Sequence, residues 1–93
     1  MPAYDLLWTP TFERSLRGFL RRRPGLAGLV SDVLHLLEDD PLSPRLRMHR
    51  LKGKHTGKQA VRLTYSDRIV LVLRATEHEI VLLDIGPHDA VYR

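Results

Sequence analysis

The stretch from Arg68 to Gly86, RIVLVLRATEHEIVLLDIG, constrains the fold more than any other part of the chain. Its two apolar runs are shorter than the roughly 10–12 residues of a buried helix, and they are rich in β-branched residues; both features mark strands. The polar TEHE between them is short enough to be a hairpin turn. RIVLVLRA is almost continuously apolar, so it needs cover on both faces and belongs in the middle of a sheet. EIVLLDIG ends at Gly86-Pro87, where the ladder stops.

Upstream, KQAVRLTY alternates, placing Val61, Leu63 and Tyr65 on one face and Arg62 and Thr64 on the other. Ser66-Asp67 reads as another tight turn. A regular two-residue turn there sets Tyr65 opposite Arg68 and Arg62 opposite Leu71, with Arg68 on the face away from Arg62. Only a bulge or a wider loop brings the two arginines together.

The cover for this sheet comes from the N-terminal half. AYDLLWT reads as a first strand, with Tyr4, Leu6 and Trp8 on one face. In TPTFERSLRGFLRRRP the period changes: Thr9 is placed to N-cap a helix and Pro10 suits its first position. Phe12, Leu16, Phe19 and Leu20 then form its apolar stripe, with Arg14, Arg17 and Arg21 on the opposite side. Pro24-Gly25 breaks it. A second helix from about Gly25 to Asp39 is buried along Leu26, Leu29, Val30, Val33, Leu34 and Leu37, and DDPLSP stops it.

The order is β-α-α-β-β-β. It predicts an α+β domain over residues 1–93, a helical hairpin packed on one face of a largely antiparallel sheet. Ninety-three residues give room for one modest core. No apolar run approaches the ~20 residues of a membrane span, and MPAYDLLWTP carries no basic segment followed by a hydrophobic stretch. Without cysteine there is no disulfide framework, thiolate zinc site or Cys nucleophile. A cytoplasmic domain with no membrane partner is the expectation.

The net charge of +4 matters less than its distribution. Arg45, Arg47, Arg50, Lys52, Lys54, Lys58 and Arg62 follow one another with no acid among them. The acids lie elsewhere, at Glu38-Asp39-Asp40 and at Glu77, Glu79 and Asp84. A field with direction results, and a polyanion is its natural partner. This basic loop enters the sheet at one end, and the tail GPHDAVYR leaves it. A basic face edged by His88, Asp89 and Tyr92 follows, on the side that the helices leave bare.

The histidines, at 35, 49, 55, 78 and 88, show no H-x-x-x-H or H-E-x-x-H spacing, so neither a metal site nor a cofactor is expected. RLKGKHTGK lacks the spacing of a phosphate-binding P-loop. What remains is His with Arg/Lys, Asp and Tyr, an inventory suited to cleaving RNA, whose own 2′-hydroxyl is the nucleophile. Histidine, with an ordinary pKa near ~6.5, serves as acid or base. Arginine and lysine stabilise charge on the phosphorane, and an aromatic ring such as Tyr92 stacks on a base. Each residue also has a plainer reading. His35 fits a helix flank, His78 a solvated turn, and His49 and His55 polar loop positions. His88 could anchor the tail, Tyr92 plug the sheet, and Asp67 serve its turn.

In that combination the chain resembles the RelE/ParE superfamily of bacterial type II toxins, and within it the YafQ-like mRNA interferases. The likeness is carried by MHRLKGKHTGKQAVRLTYSDRIVLVLR and LLDIGPHDAVYR. The longer of these segments is similar to the family's His-x-Leu-x-Gly leading into a strand, a (Ser/Asp)-Asp-x-Arg stretch and an apolar strand. The shorter is similar to its terminal Gly-x-His with an aromatic four positions on. The resemblance implies a RelE-like fold and a metal-independent endoribonuclease acting on mRNA at the ribosome, beside its 16S rRNA. It implies a cognate antitoxin that holds the toxin inactive, and operator DNA bound only by the toxin–antitoxin complex. By position it assigns His49, Asp67, His88 and Tyr92 to the site; Arg62 stands where YafQ-like members often have His and RelE-like members a basic residue. His49 and His88 would then handle protons, Arg62 stabilise the phosphorane, and Asp67 orient a His or assist as base. Arg47, Arg50, Lys52, Lys54, His55, Lys58 and Arg68 would contact RNA. Two other readings stay open: a ParE-like toxin that binds DNA gyrase, and a non-catalytic basic nucleic-acid-binding module. The positions of His49 and His88 favour the nuclease.

Overall fold

The computed structural model describes residues 2–92; Met1 and Arg93, the ends of the predicted 1–93 domain, lie outside the described residues. Its elements run β1 (Asp5–Trp8), α1 (Pro10–Arg22), α2 (Ala27–Asp39), β2 (His49–Arg50), β3 (Gln59–Arg62), β4 (Asp67–Arg74), β5 (Glu79–Pro87) and α3 (His88–Val91). The predicted α+β order is present, with a very short β2 and α3 added to it.

Helix α1 begins as its sequence dictates, with Pro10 in the first turn and the Thr9 hydroxyl accepting the Phe12 amide at 3.1 Å. The same hydroxyl donates to the Leu82 carbonyl at 2.7 Å, which ties the helix start to β5. Phe12, Leu16 and Phe19 are buried, while Arg14, Arg17 and Arg21 face solvent. A 3-10 turn at Pro24–Leu26 replaces the expected two-residue break. Helix α2 buries Val30, Val33 and Leu37. Leu29, expected inside, is 37% exposed, because it flanks that stripe instead of belonging to it.

The sheet has the order β1-β5-β4-β3-β2, with β1 parallel to β5 and every other pairing antiparallel. Strand β4 is central, as its apolar sequence requires. Ile69 and Leu71 face the helices within the core, and Val70 is buried on the other face. Ile80, Leu82 and Ile85 all join the core, although strict alternation forbids it. A bulge resolves the conflict: Leu71 pairs with Leu82 and Val70 with Asp84, so Leu83 is left over and the inward parity switches.

The face away from the helices is not bare along its length, which corrects the sequence reading. Ala60 and Val70 are buried there, and α3 packs on β4 and β5. The Tyr92 and His55 rings meet with centroids 6.2 Å apart, so the tail closes against the 53–55 turn. The open part is one end, where β3 and β5 finish and β2 and β4 begin. Among the described residues, no helix is long and apolar enough to cross a membrane.

Candidate functional site

The open end is shaped by the connection between β3 and β4. It is wider than a two-residue turn: the Asp67 carbonyl accepts the amides of Leu63 and Thr64 at 3.0 and 3.3 Å. The Thr64 hydroxyl accepts the amides of Ser66 and Asp67 at 3.2 and 3.1 Å. Arg62 is therefore paired with Arg68, and both project from one face. The expectation that Arg68 points away from Arg62 is corrected by this loop.

Register brings in the remaining groups. His49 pairs with Ala60, two positions before Arg62, so it shares their face. Strand β5 ends with Pro87 opposite Asp67, and the His88 amide donates to the Ser66 carbonyl at 2.9 Å. Arg47, at φ 50°, turns the chain from the preceding 44–46 turn into β2, a left-handed conformation uncommon for a residue with a Cβ. Arg47, His49, Arg62, Tyr65, Arg68 and His88 line one pocket of about 440 Å³. That volume falls within the ~300–1,000 Å³ usual for small-molecule sites.

Among the described residues, no carboxylate lines this pocket. Like charges directly opposite across two strands repel, and Arg62 and Arg68 stand in that arrangement. An anion between them relieves it. Arg68 Nη1 donates to the carbonyls of Thr64, Tyr65 and Asp67 at 3.0, 3.3 and 3.0 Å, which fixes its head against the loop. The Arg62 guanidinium lies 5.4 Å from the centre of the Tyr65 ring. His49 Nδ1 is 3.2 Å from the Arg47 carbonyl. A carbonyl only accepts, so Nδ1 donates and the neutral ring keeps its lone pair on Nε2. His88 Nδ1 stands 3.6 Å from the Asp89 carboxylate.

Two expected site residues lie elsewhere. Asp67 is fully buried, on the helix side of β4 with Ile69 and Leu71. Its Oδ2 accepts Arg23 Nη1 at 2.8 Å and the Thr64 hydroxyl. Sequence reading expected it to orient a His or act as base; among the described residues its side-chain partners are Arg23 and Thr64, through which it holds the loop to the helical hairpin from behind. Tyr92 is half-buried, its ring edge-on to His88 at 4.3 Å and its hydroxyl buried without a partner among the described residues. Burial pushes its phenol above the ordinary 10.0, with Arg68 pulling the other way. It packs edge-on against His88.

Of the residues expected to contact RNA, Arg47 and Arg68 line the pocket. Arg50 and Lys58 flank a separate hollow, and Lys52 and Lys54 are exposed around the 53–55 turn. His55 is half-buried between Lys58 Nζ, at 3.5 Å, and the Tyr92 ring. His35 and His78 are both exposed, on α2 and in the 75–78 turn. Tyr65, assigned by alternation to the core face, is 86% exposed and on the pocket wall. The signal that could have found it is Thr64-x-x-Asp67, where the hydroxyl and the carboxylate close a wider loop on themselves.

The family model described as "Bacterial toxin of type II toxin-antitoxin system, YafQ" matches residues 4–93. Among curated proteins, none matches the chain. Among solved structures it is similar to YafQ from E. coli strain BL21(DE3), with 14% identity and a TM-score of 0.80 over 97% of this chain and 99% of that one. It is also similar to the E. coli DinJ-YafQ toxin-antitoxin complex, with 14% identity and a TM-score of 0.79 over 98% and 99% of the two chains. A YoeB/ParE toxin from Agrobacterium tumefaciens shares 18% identity, with a TM-score of 0.75 over 90% and 98%. At such identities these likenesses concern the fold, which extends over nearly the whole of each chain.

Proposed function

The chain belongs to the YafQ family of type II toxin–antitoxin toxins, and we propose that it is a metal-independent endoribonuclease that cuts mRNA at the ribosome. One arrangement supports this: two imidazoles and three guanidiniums around a single pocket with no carboxylate in its lining among the described residues. In the proposed reaction His49 Nε2 takes the proton of a 2′-hydroxyl. The freed oxygen attacks the adjacent phosphorus, and Arg47, Arg62 and Arg68 stabilise the added negative charge. His88 gives a proton to the departing 5′-oxygen. A 2′,3′-cyclic phosphate and a 5′-hydroxyl end result.

The remaining cations, Arg50, Lys52, Lys54 and Lys58, extend the positive surface beside the pocket toward the mRNA and 16S rRNA backbones. A cognate antitoxin is the proposed protein partner, supported by the similarity to a toxin found with its antitoxin. A segment that folds on binding and lays acids across the Arg45–Arg62 surface fits that charge. Operator DNA is bound in this reading only by the toxin–antitoxin complex, and the toxin works in the cytoplasm as one domain over residues 1–93.

Programmed ribosomes incubated with the protein test the reading. Discrete mRNA cuts with 5′-hydroxyl ends are expected, absent with His88→Ala although that variant still binds. Wild-type protein that leaves the mRNA whole overturns the nuclease; gyrase inhibition in its place would assign the ParE-like branch.

A further inference from the structure

Large aromatic rings are seldom left in water on a rigid surface, because their burial contributes much to folding. Tyr65 is 86% exposed, yet the loop that carries it is tied down by hydrogen bonds. Arg68 Nη1 donates to the carbonyls of the peptide links before and after Tyr65, those of Thr64 and Tyr65, and to that of Asp67. Ser66 anchors the His88 amide, and the Thr64 hydroxyl caps the loop amides. The Arg62 guanidinium covers one side of the ring. Its other side has no partner among the described residues. A pinned loop therefore presents one free aromatic face at the lip of the pocket that holds both imidazoles.

We infer that Tyr65 is the base-stacking platform of this site, taking the nucleobase beside the scissile phosphate in single-stranded RNA. The inference rests on the ribonuclease reading for its substrate, but stacking is measurable without cleavage. Tyr92 is half-buried with its ring edge-on to His88, so Tyr65 is the more exposed ring of the two. Arg62 serves twice here, as a phosphate ligand and as a cation backing the ring. That arrangement orders Arg62, Tyr65 and the base in one stack. Stacking is sequence-tolerant but grows with ring area, so the platform favours a purine at this position.

The experiment uses a short RNA whose attacking nucleotide is 2′-deoxy, so that nothing is cut, with 2-aminopurine at the neighbouring position. Saturating wild-type protein and Tyr65→Phe should quench the fluorophore alike. Tyr65→Ala should lose the quench and bind roughly 5- to 100-fold more weakly, the range of removing one aromatic–base stack. An abasic nucleotide in place of the fluorophore should weaken wild type by the same factor and leave Tyr65→Ala unmoved. Equal quenching by wild type and Tyr65→Ala, or an abasic penalty independent of Tyr65, overturns the platform. Uncut mRNA in the ribosome assay sinks the nuclease alone, since these binding measurements need no cleavage.

Discussion

Asp67 and Arg68 are neighbours at the start of β4, and the pleat sends them to opposite sides of one sheet. Asp67 goes to the helix side, where it is fully buried and meets Arg23 and Thr64. Arg68 goes to the other side, where its opposite number is another arginine and, among the described residues, no acid lines the pocket. The charge on the core side is answered within the molecule. Among the described residues, no acid answers the charges on the other side, which leaves them open to an anion from outside. What separates structure from function here is the partner of a charged group, not its residue type.

The largest effect should separate the two sides most sharply. His88→Ala on the pocket side should lower the cleavage rate by roughly 10²–10⁴, as loss of a general acid does. Its thermal midpoint should stay close to wild type, because the ring is mostly exposed and its backbone anchor to Ser66 is kept. A midpoint drop matching the activity loss would make His88 a structural residue.

Asp67→Ala should behave in the opposite way. Removing this carboxylate loses the bonds it accepts from Arg23 and Thr64 and costs about 1–3 kcal/mol, read as a shift in the urea midpoint. Arg23 is 43% exposed and its charge stays solvated when Asp67 is removed, whereas Arg23→Ala leaves the buried carboxylate without its cation and should lose more, about 3–5 kcal/mol. Asp67→Asn sharpens the comparison. If it abolishes cutting at unchanged stability, the carboxylate belongs to the chemistry after all, and the division between the two sides is wrong.

The elements were legible where a local rule decides alone. Thr9-Pro10 started α1, the apolar run placed β4 at the centre, and Gly86-Pro87 ended β5. His49, Arg62 and His88 could be named as partners because types, order and likeness agreed. The errors share one cause, which is parity. A five-residue loop, 63–67, in place of a two-residue turn moved Arg68 onto the face of Arg62 and Tyr65 out of the core, and a bulge at Leu83 did the like for Ile85. A one-residue slip exchanges faces, and the bonds that set it, such as the Thr64 hydroxyl to backbone amides, carry only a weak sequence signal. The Arg23–Asp67 pair joins residues far apart in the chain, which no spacing rule reaches.

A smaller effect concerns the arginine pair. Arg62→Gln removes one of two like charges set directly opposite, so stability should hold or rise by about 0.2–1 kcal/mol. RNA affinity should fall, and the slope of log affinity against log salt should flatten by about 0.7, the contribution of one phosphate contact on a single strand. Filter binding across a salt series measures it. A destabilised variant with an unchanged slope would mean that Arg62, like Asp67, is answered from within.

The smallest effect lies on the seam between the two sides, at Tyr92. Its phenol is raised by burial above 10.0, so above about pH 10 the unfolded chain gives up this proton before the folded one does. The folded state then binds more protons, and the stability that is intact below pH 10 declines as pH climbs toward the folded value. Tyr92→Phe removes the titrating group and also a buried hydroxyl without a partner among the described residues. The variant should therefore match or slightly exceed wild type at pH 7 and lose less stability between pH 9 and 11, measured by urea unfolding at each pH. Arg68 opposes the shift from the pocket side, so Arg68→Leu with Tyr92 intact should steepen the alkaline decline. Parallel decline in wild type and Tyr92→Phe would put this hydroxyl in water, and with it the tail that holds His88 against the sheet.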